Sequence, residues 1–265
     1  MTLTAYIDGI SVIGPGFTGW SAAAAVLASR AAYAPSATVL PMPLTLPAAE
    51  RRRTGRVVKL AIANGLEAAA QAGLAVATLA TVFSSSGADG DICHEICLTL
   101  ASADRQLSPT RFHNSVHNAP AGYWSIATGA MAASTTLCAY DATFSAGLLE
   151  ALTQVVIMNQ PALLIACDAG YPPPLHEKRP LSDAFGVALL LSPTRSTRSQ
   201  ALLSGQLSDV PVSAMADAAL ESLRAAIPAA RALPLLQVLA RHQRGNVVLE
   251  YLEPSGLRVE VDPCN

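Results

Sequence analysis

The sequence predicts a layered α/β fold, because short apolar segments typical of buried strands alternate with segments of helical periodicity up to about residue 192. The composition supports this fold class. Of 265 residues, 51% are hydrophobic and only 14% are charged, so the chain can bury a large core. The low charged fraction also leaves apolar surface that is available to a partner protein.

The strands are expected where β-branched and apolar residues lie between turn-forming residues, and the helices where apolar residues recur every three or four positions. The predicted strands are residues 5–13, 78–84, 131–137, 161–167 and 184–191. The predicted helices are residues 20–27, 57–74, 92–100, 123–128 and 141–152, and residues 32–49 are expected to be irregular. After a charged linker, we expect helices at 214–226 and 233–242 and a hairpin with arms 246–252 and 257–261.

Composition excludes several kinds of partner. The net charge is −2 and the only basic cluster is Arg51, Arg52 and Arg53, so nucleic acid is not an expected partner. No apolar run approaches the roughly 20 residues of a membrane span. Five cysteines in a chain of this length do not form a disulfide framework, which predicts a location in the reducing cytoplasm.

The most informative stretch is a strand that turns sharply into a buried helix at Asp141. Apolar residues 131–137 precede the turn, and Phe144, Leu148 and Leu152 continue after it with helical spacing. At such a turn a short carboxylate can cap the helix, and the positive end of the helix dipole stabilises an anion there. The same position suits a nucleophile, so the turn is a candidate site.

Four segments around this turn are similar, in the right order, to the β-ketoacyl synthase branch of the thiolase fold. They are residues 6–14, 53–74, 107–122 and 179–186. The resemblance covers about residues 3–192 and implies a thiolase-like layered α/β/α fold with a truncated second half. Residues 1–192 would form the half similar to the ketosynthase N-terminal domain. Residues 193–265 would be a shortened segment of helices plus a hairpin that completes the same domain.

The chain departs from this family where the chemistry should be. Counting from Ala121 and Gly122, the family's nucleophilic cysteine falls on Asp141, while Cys138 lies three residues too early, inside the predicted strand. A carboxylate cannot carry a thioester through a condensation cycle. The two histidine segments that the family needs in its second half are also missing. The resemblance therefore implies a ketosynthase scaffold without catalytic residues or a cofactor.

Such a scaffold resembles the chain-length factors of polyketide synthases, and in its short form those of aryl polyene synthases. The resemblance implies a non-catalytic subunit that pairs with a full-length ketosynthase as a heterodimer and helps to shape the acyl tunnel. The acyl carrier protein would be an indirect partner. The candidates for the tunnel or the interface, for which ordinary packing is an equal alternative, are Ile92, Cys93, Ile96, Cys97, Leu100, Phe112, His113, His117 and Phe144.

Three other hypotheses remain open. Cys138 with His113 or His117 could form a nucleophilic pair in a free-standing thioester hydrolase or acyltransferase, although burial in a strand would make the thiol inert. Cys93, Cys97, His113 and His117 have the spacing of a zinc site, against our expectation of no metal. Third, the chain could bind an acyl carrier protein without affecting product length.

Overall fold

The computed structural model describes residues 2–264, which form nine strands and ten α-helices. The strands are β1 (Leu3–Gly14), β2 (Phe17–Thr18), β3 (Ala80–Ser84), β4 (Ser134–Leu137), β5 (Ala162–Asp168), β6 (Phe185–Ser192), β7 (Ala201–Ser208), β8 (Gly245–Glu250) and β9 (Gly256–Pro263). The helices are α1 (Trp20–Leu27), α2 (Ala48–Arg51), α3 (Arg56–Ala72), α4 (Gly90–Ala101), α5 (Pro109–Asn114), α6 (Ala119–Thr128), α7 (Thr143–Met158), α8 (Leu175–Lys178), α9 (Ala218–Ala226) and α10 (Leu233–Ala240). Within residues 2–264, no helix is both long and apolar enough to cross a lipid bilayer.

The strands of residues 2–264 join in one sheet with the order β4-β3-β5-β6-β1-β7-β9-β8, and β2 pairs with the end of β1. The pairs β3–β4 and β3–β5 are parallel. The remaining pairs are antiparallel. Because β3, β4 and β5 run in the same direction, their carboxyl ends meet at one edge of the sheet, where the loops of α/β proteins carry their sites.

Helices cover both faces of the central strands, as the near-continuous apolar runs in these strands require. Alternate residues of β5 separate into two cores: Leu164 belongs to the core under α1, α7 and α10, and Leu163 to the core under α3 and α6. This arrangement is the expected α/β/α layering. The buried helix after Asp141 is α7, whose Leu148 and Leu152 are fully buried against the sheet.

Helix α3 packs unusually close to β1 at a glycine. A Cβ atom added to Gly9 would lie 2.0 Å from the carbonyl oxygen of Ala68 in α3. Beside this contact, the Gln71 side chain accepts a hydrogen bond from the Ile10 N–H (3.1 Å) and donates one to the Ile10 carbonyl (2.7 Å). Gly9 and Gln71 therefore fix the position of α3 over the centre of the sheet.

Strand β7 was not predicted, because the sequence indicated only a charged linker before the helices of the second segment. It pairs with β1 on one side and with β9 on the other. The hairpin of β8 and β9 was predicted and is confirmed. The core on the α7 face continues under β7, β8 and β9, while their opposite face carries polar ion pairs such as Arg258–Glu260 (2.8 Å).

The two outer edges of the sheet differ. At β8, the Ser213 N–H donates to the Val248 carbonyl (2.8 Å), and its hydroxyl accepts from the Val248 N–H (3.0 Å), so this edge is covered at Val248. At the other end, β4 pairs only with β3 among residues 2–264. Its predicted range, 131–137, was too long: the strand has four residues, and Met131 is 91% exposed.

Candidate functional site

The candidate site lies where the carboxyl ends of β3, β4 and β5 meet, and the turn at Asp141 is its centre. Strand β4 ends at Leu137, a 3₁₀ turn spans Tyr140–Ala142, and α7 starts at Thr143. Tyr140 has a positive φ of 52°, a conformation that few non-glycine residues adopt. The predicted sharp strand-to-helix turn is therefore present.

A hydroxyl group and a glycine hold this turn in place. The Thr143 Oγ1 accepts a hydrogen bond from the Ala139 N–H (3.2 Å) and donates to the Tyr140 carbonyl (2.7 Å). One turn later, a Cβ atom on Gly147 would lie 2.8 Å from the Cβ of Ser84 in β3. A larger residue at position 147 would push the start of α7 away from the sheet.

The expectation that Asp141 caps the helix is wrong. The N-cap position of α7 is Ala142, and no side chain accepts a hydrogen bond from the helix there. The Asp141 carboxylate is instead bound by two arginines: its Oδ1 lies 2.6 Å from Arg179 Nη2, and its Oδ2 lies 3.1 Å from Arg231 Nη2. Both guanidinium groups attract the carboxylate more strongly than the helix N–H groups do, because they carry full charges.

The ion pairs at Asp141 continue into the second segment of the chain. Arg231 also contacts Glu250, which lies 3.3 Å from Arg224. Arg224 is in turn 2.7 Å from Glu221. We call these six side chains, three arginines and three carboxylates, the ionic cluster. It connects the turn before α7 to α9, β8 and the 3₁₀ turn Pro228–Ala232 that precedes α10.

Opposing effects set the protonation behaviour of the two arginines. Burial acts to lower the pKa of Arg179, but the hydrogen bond and the charge of Asp141 outweigh it, and the pKa is raised. The Arg179 guanidinium also lies over the Tyr140 ring, 3.7 Å from its centroid. Burial lowers the pKa of Arg231, and Asp141 only partly compensates. Both groups remain cations at neutral pH.

This arrangement does not support nucleophilic chemistry at Asp141. Within residues 2–264, the ion-pair and hydrogen-bond partners of its carboxylate are guanidinium groups, and no imidazole is among them. A carboxylate whose two oxygens are each held by an arginine is stabilised as an anion in place and is a weak nucleophile. The position at which the resemblance places a thiol is therefore a structural ion-pair centre.

Cys138 was predicted to lie inside the strand. It lies directly after β4 instead, and its side chain is exposed. Partial burial of the sulfur, with the nearby Asp168 carboxylate, raises the pKa of the thiol. No histidine of residues 2–264 hydrogen-bonds to it, so the geometry offers no base to activate it. The hydrolase hypothesis with His113 or His117 gains no support.

The zinc hypothesis also gains no support from the structure. Cys93 lies on α4, and its thiol hydrogen-bonds to the Ser115 carbonyl (3.5 Å). Across residues 2–264, no group of three or more His, Cys, Asp or Glu side chains is placed to hold a metal ion. The matching spacing of Cys93, Cys97, His113 and His117 therefore does not bring the four side chains together.

The structure places the tunnel and interface candidates in two regions. Most of them lie on α4 and α5 and in the following turn, where Ile92, Cys93 and Ile96 are half-buried and the others are exposed. These candidates are Ile92, Cys93, Ile96, Cys97, Leu100, Phe112, His113 and His117. Phe144 is separate from them: it is 1% exposed and belongs to the core on the α7 face of the sheet. Phe144 is therefore a core residue.

Sequence reasoning missed Asp168, the last residue of β5. Its carboxylate is almost fully buried and accepts hydrogen bonds from the Ser86 N–H (2.7 Å) and the Ala229 N–H (2.8 Å). Burial raises its pKa, although these bonds and Arg179 act to lower it. Asp168 thus connects the loop after β3 to the second segment. Its signal in the sequence was a carboxylate directly after a buried apolar strand.

Sequence comparison identifies the family. Residues 20–250 match the family model described as "Beta-ketoacyl synthase, N-terminal domain". The chain belongs to the β-ketoacyl synthase family. The match extends well beyond residue 192, so family similarity continues into the second segment. No curated protein sequence matches the chain.

Solved structures of this family show the same fold. A chain from the complex of the ketosynthase ApeO with its chain length factor ApeC, from Xenorhabdus doucetiae, is 22% identical with a TM-score of 0.73, covering 97% of this chain and 99% of the other. A chain of the ishigamide ketosynthase/chain length factor is 14% identical with a TM-score of 0.70, covering 99% and 100%. A chain from the AntDE:AntF complex of a type II ketosynthase with its acyl carrier protein is 10% identical, with a TM-score of 0.75 and full coverage of both chains. The thiolase-like layered fold is therefore confirmed.

Proposed function

We propose that this chain is a non-catalytic, chain-length-factor-like partner of a full-length ketosynthase, acting in polyketide, aryl polyene or related acyl-chain biosynthesis. The observation that carries the proposal is the ionic cluster at Asp141. It occupies the nucleophile position with a carboxylate bound by two arginines, which leaves a ketosynthase fold without a group that can hold a thioester.

A partner subunit needs a surface for its partner, and the side of the molecule around β4 is the best candidate. The free edge of β4 offers unpaired backbone groups. Helices α4 and α5 are joined by the Arg111–Glu95 ion pair (3.2 Å) and expose Leu98, Leu100 and Phe112. Exposed apolar side chains and an open sheet edge are each typical of a protein interface.

The turn after α5 is close to β4, because His117 and Thr136 border the same small cavity. Ile92 on α4 borders a neighbouring cavity that also reaches His117, and Ile96 is half-buried one turn later on the same helix. We propose that Ile92, Ile96 and Leu100 set the space available to the growing acyl chain, because the family resemblance places the end of the tunnel on the helix that follows the loop after β3.

The cysteines and the expected partners fit the same role. The five cysteines are free thiols, which agrees with a reducing compartment such as the cytoplasm. The ketosynthase would be the direct partner in a heterodimer, and the acyl carrier protein would deliver substrate to that ketosynthase.

The decisive experiment is co-expression with a candidate full-length ketosynthase, followed by size-exclusion chromatography and product analysis. The two chains should elute together, and the chain alone should show no condensing activity. Leu98→Glu should weaken the complex about tenfold or more, because it places a charge in the proposed interface. Leu44→Glu is the control, since Leu44 is also exposed but lies in the irregular segment before α2.

Product length tests the tunnel. Ile96→Trp should shorten the product while leaving the complex intact, because a larger side chain removes space. Condensing turnover by the isolated chain would contradict the proposed role. Unchanged product length with retained binding of an acyl carrier protein would indicate a carrier-binding module instead.

A further inference from the structure

Residues 91–113, which contain nearly all of α4 and α5, are weakly packed against the rest of the protein. Every residue in this range is half-buried or exposed. By contrast, α3 buries most of its residues. The range is nevertheless apolar, since Leu98, Leu100 and Phe112 are all exposed. A segment with so few buried apolar contacts opens at a lower cost in free energy than the core does. We call residues 91–113 the flap.

The two ends of the flap are attached at one place, directly before α3. At the first end, the Asp89 carboxylate lies against Gly55, where an added Cβ atom would clash with its Oδ2. At the other end, the Asn114 side chain is 8% exposed and donates a hydrogen bond to the Arg53 carbonyl (3.1 Å). Because both attachments lie at residues 53–55, the flap can swing about this point while its ends stay in place.

The two helices of the flap are connected to each other. Arg111 of α5 pairs with Glu95 of α4 (3.2 Å). The Cys93 thiol of α4 donates to the carbonyl of Ser115, directly after α5 (3.5 Å). We therefore expect α4 and α5 to move together.

The contact between the base of the flap and α3 is incompletely packed. A void of about 10 Å³, roughly the space of one water molecule, is bordered by Ile92 of the flap and Val58 of α3. Beside it, the buried Oδ2 of Asp89 has no hydrogen-bond partner within residues 2–264. Burial raises the pKa of Asp89, so the closed position of the flap disfavours the charge on this group. A buried carboxylate oxygen without a protein donor offsets part of the free energy that closure gains, which favours opening.

We propose that the flap opens readily in the free chain and is held closed by the partner ketosynthase. The inference rests on the proposed function, because the turn after α5 lies beside β4, where the ketosynthase is proposed to bind. It goes further by assigning a mode of regulation: Ile92 and Ile96, the proposed tunnel residues, are fixed in position only in the complex. Assembly of the two subunits then sets the product length, because the free chain has no fixed tunnel wall.

The test is amide hydrogen exchange, measured by mass spectrometry on the free chain and on its complex with the ketosynthase. In the free chain, the amides of α4 should exchange at least about 100-fold faster than those of α3, because the flap opens without unfolding of the core. In the complex, exchange in α4 should slow at least about tenfold, because only the closed flap contacts the partner.

Helix α9 is the matched control. Asp217 caps it as Asp89 caps α4, and α9 is the shorter of the two helices, but its Leu220 and Leu223 are buried. Helix length alone predicts that α4 is the better protected of the two. The flap predicts the reverse, by about tenfold or more in the free chain, and no change in α9 when the complex forms.

Asn114→Ala tests the attachment. It removes the hydrogen bond to Arg53 and should speed exchange in α4 and α5 by about tenfold. Asn118→Ala, whose side chain caps no helix, should have no such effect. Equal exchange in the two variants would overturn the assigned hinge.

The same measurements separate this inference from the partner role. If α4 is as well protected as α9 in the free chain, or if its exchange is the same in the free chain and in the complex, the flap proposal is overturned while the partner role stands. If no complex forms, both proposals fail.

Discussion

The ionic cluster predicts that Asp141→Asn destabilises the protein. The substitution keeps the size and shape of the side chain but removes the charge that Arg179 and Arg231 both bind. Arg231 keeps Glu250 as a partner, whereas Arg179 keeps its contact with the Tyr140 ring and the charge of Asp168. A side chain that merely capped α7 would lose little, because asparagine is an equally good cap.

The magnitude follows from the partial burial of the site. Exposed ion pairs contribute about 0.2–1 kcal/mol, whereas removal of one partner from a buried pair costs about 3–5 kcal/mol. The Asp141 side chain is 34% exposed, so the two pairs together should fall between these limits. We expect a loss of about 1–2 kcal/mol, which lowers the melting temperature by about 3–6 °C in a chain of this size.

The assay is urea denaturation of the unsubstituted protein and of Asp141→Asn, with Asp262→Asn as the control. Asp262 pairs with one arginine, Arg244, at 2.8 Å, but its side chain is 51% exposed, so its loss should be below about 0.5 kcal/mol. A double-mutant cycle of Asp141→Asn with Arg179→Met should give a coupling of about 0.5–1.5 kcal/mol. If Asp141→Asn costs no more than the control and the coupling is near zero, the ionic cluster does not hold the second segment in place.

Three further predictions concern acid stability, thiol reactivity and close packing. The hydrogen bond from Arg224 holds the pKa of Glu221 at about 2. The stabilisation that this ion pair gives the fold is therefore present above pH 4.5 and is lost as the pH falls towards 2. Between pH 7 and pH 3, Glu221→Gln should therefore lose less free energy of unfolding than the unsubstituted protein, by on the order of 1 kcal/mol, measured by urea titration at both pH values. Equal losses in the two proteins would contradict this prediction. Iodoacetamide should label Cys138 slowly at pH 7 and faster as the pH rises past 9, by mass spectrometry, whereas full-rate labelling at pH 6 would indicate an activated thiolate. Gly9→Ala should cost about 3 kcal/mol or more in thermal melts because its Cβ meets a backbone oxygen, while Gly122→Ala, with open space, should be neutral or slightly stabilising; equal effects would refute the packing argument.

Much of the fold was predictable because its signals are local. The apolar runs of β5 and β6 and the helical spacing after Asp141 are visible in short windows of sequence. Strand β7 was missed because its sequence alternates small, polar and apolar residues, and its stability comes from pairing with β1 and β9. Pairing between distant segments leaves no mark in a local window.

The position of the candidate site was predictable, but the ion pairs that form it were not. The turn at Asp141 follows from sequence, whereas its partner Arg231 lies ninety residues later, on a segment whose position only the fold determines. Arg179 lies in one of the segments that resemble the β-ketoacyl synthases, but nothing in the local sequence indicates that Asp141 is its partner. The prediction that Cys138 is buried in the strand was wrong, because the residue directly follows β4 and its side chain is exposed.

The unequal edges of the sheet limit how this protein can assemble. At β8 the backbone groups of Val248 are already used by Ser213, so no further strand can join at that point. Within residues 2–264, the outer edge of β4 has no such cover, so a strand can join there more readily than at Val248. A partner that adds a strand at β4 therefore meets unused backbone groups, whereas pairing along β8 would first have to displace Ser213.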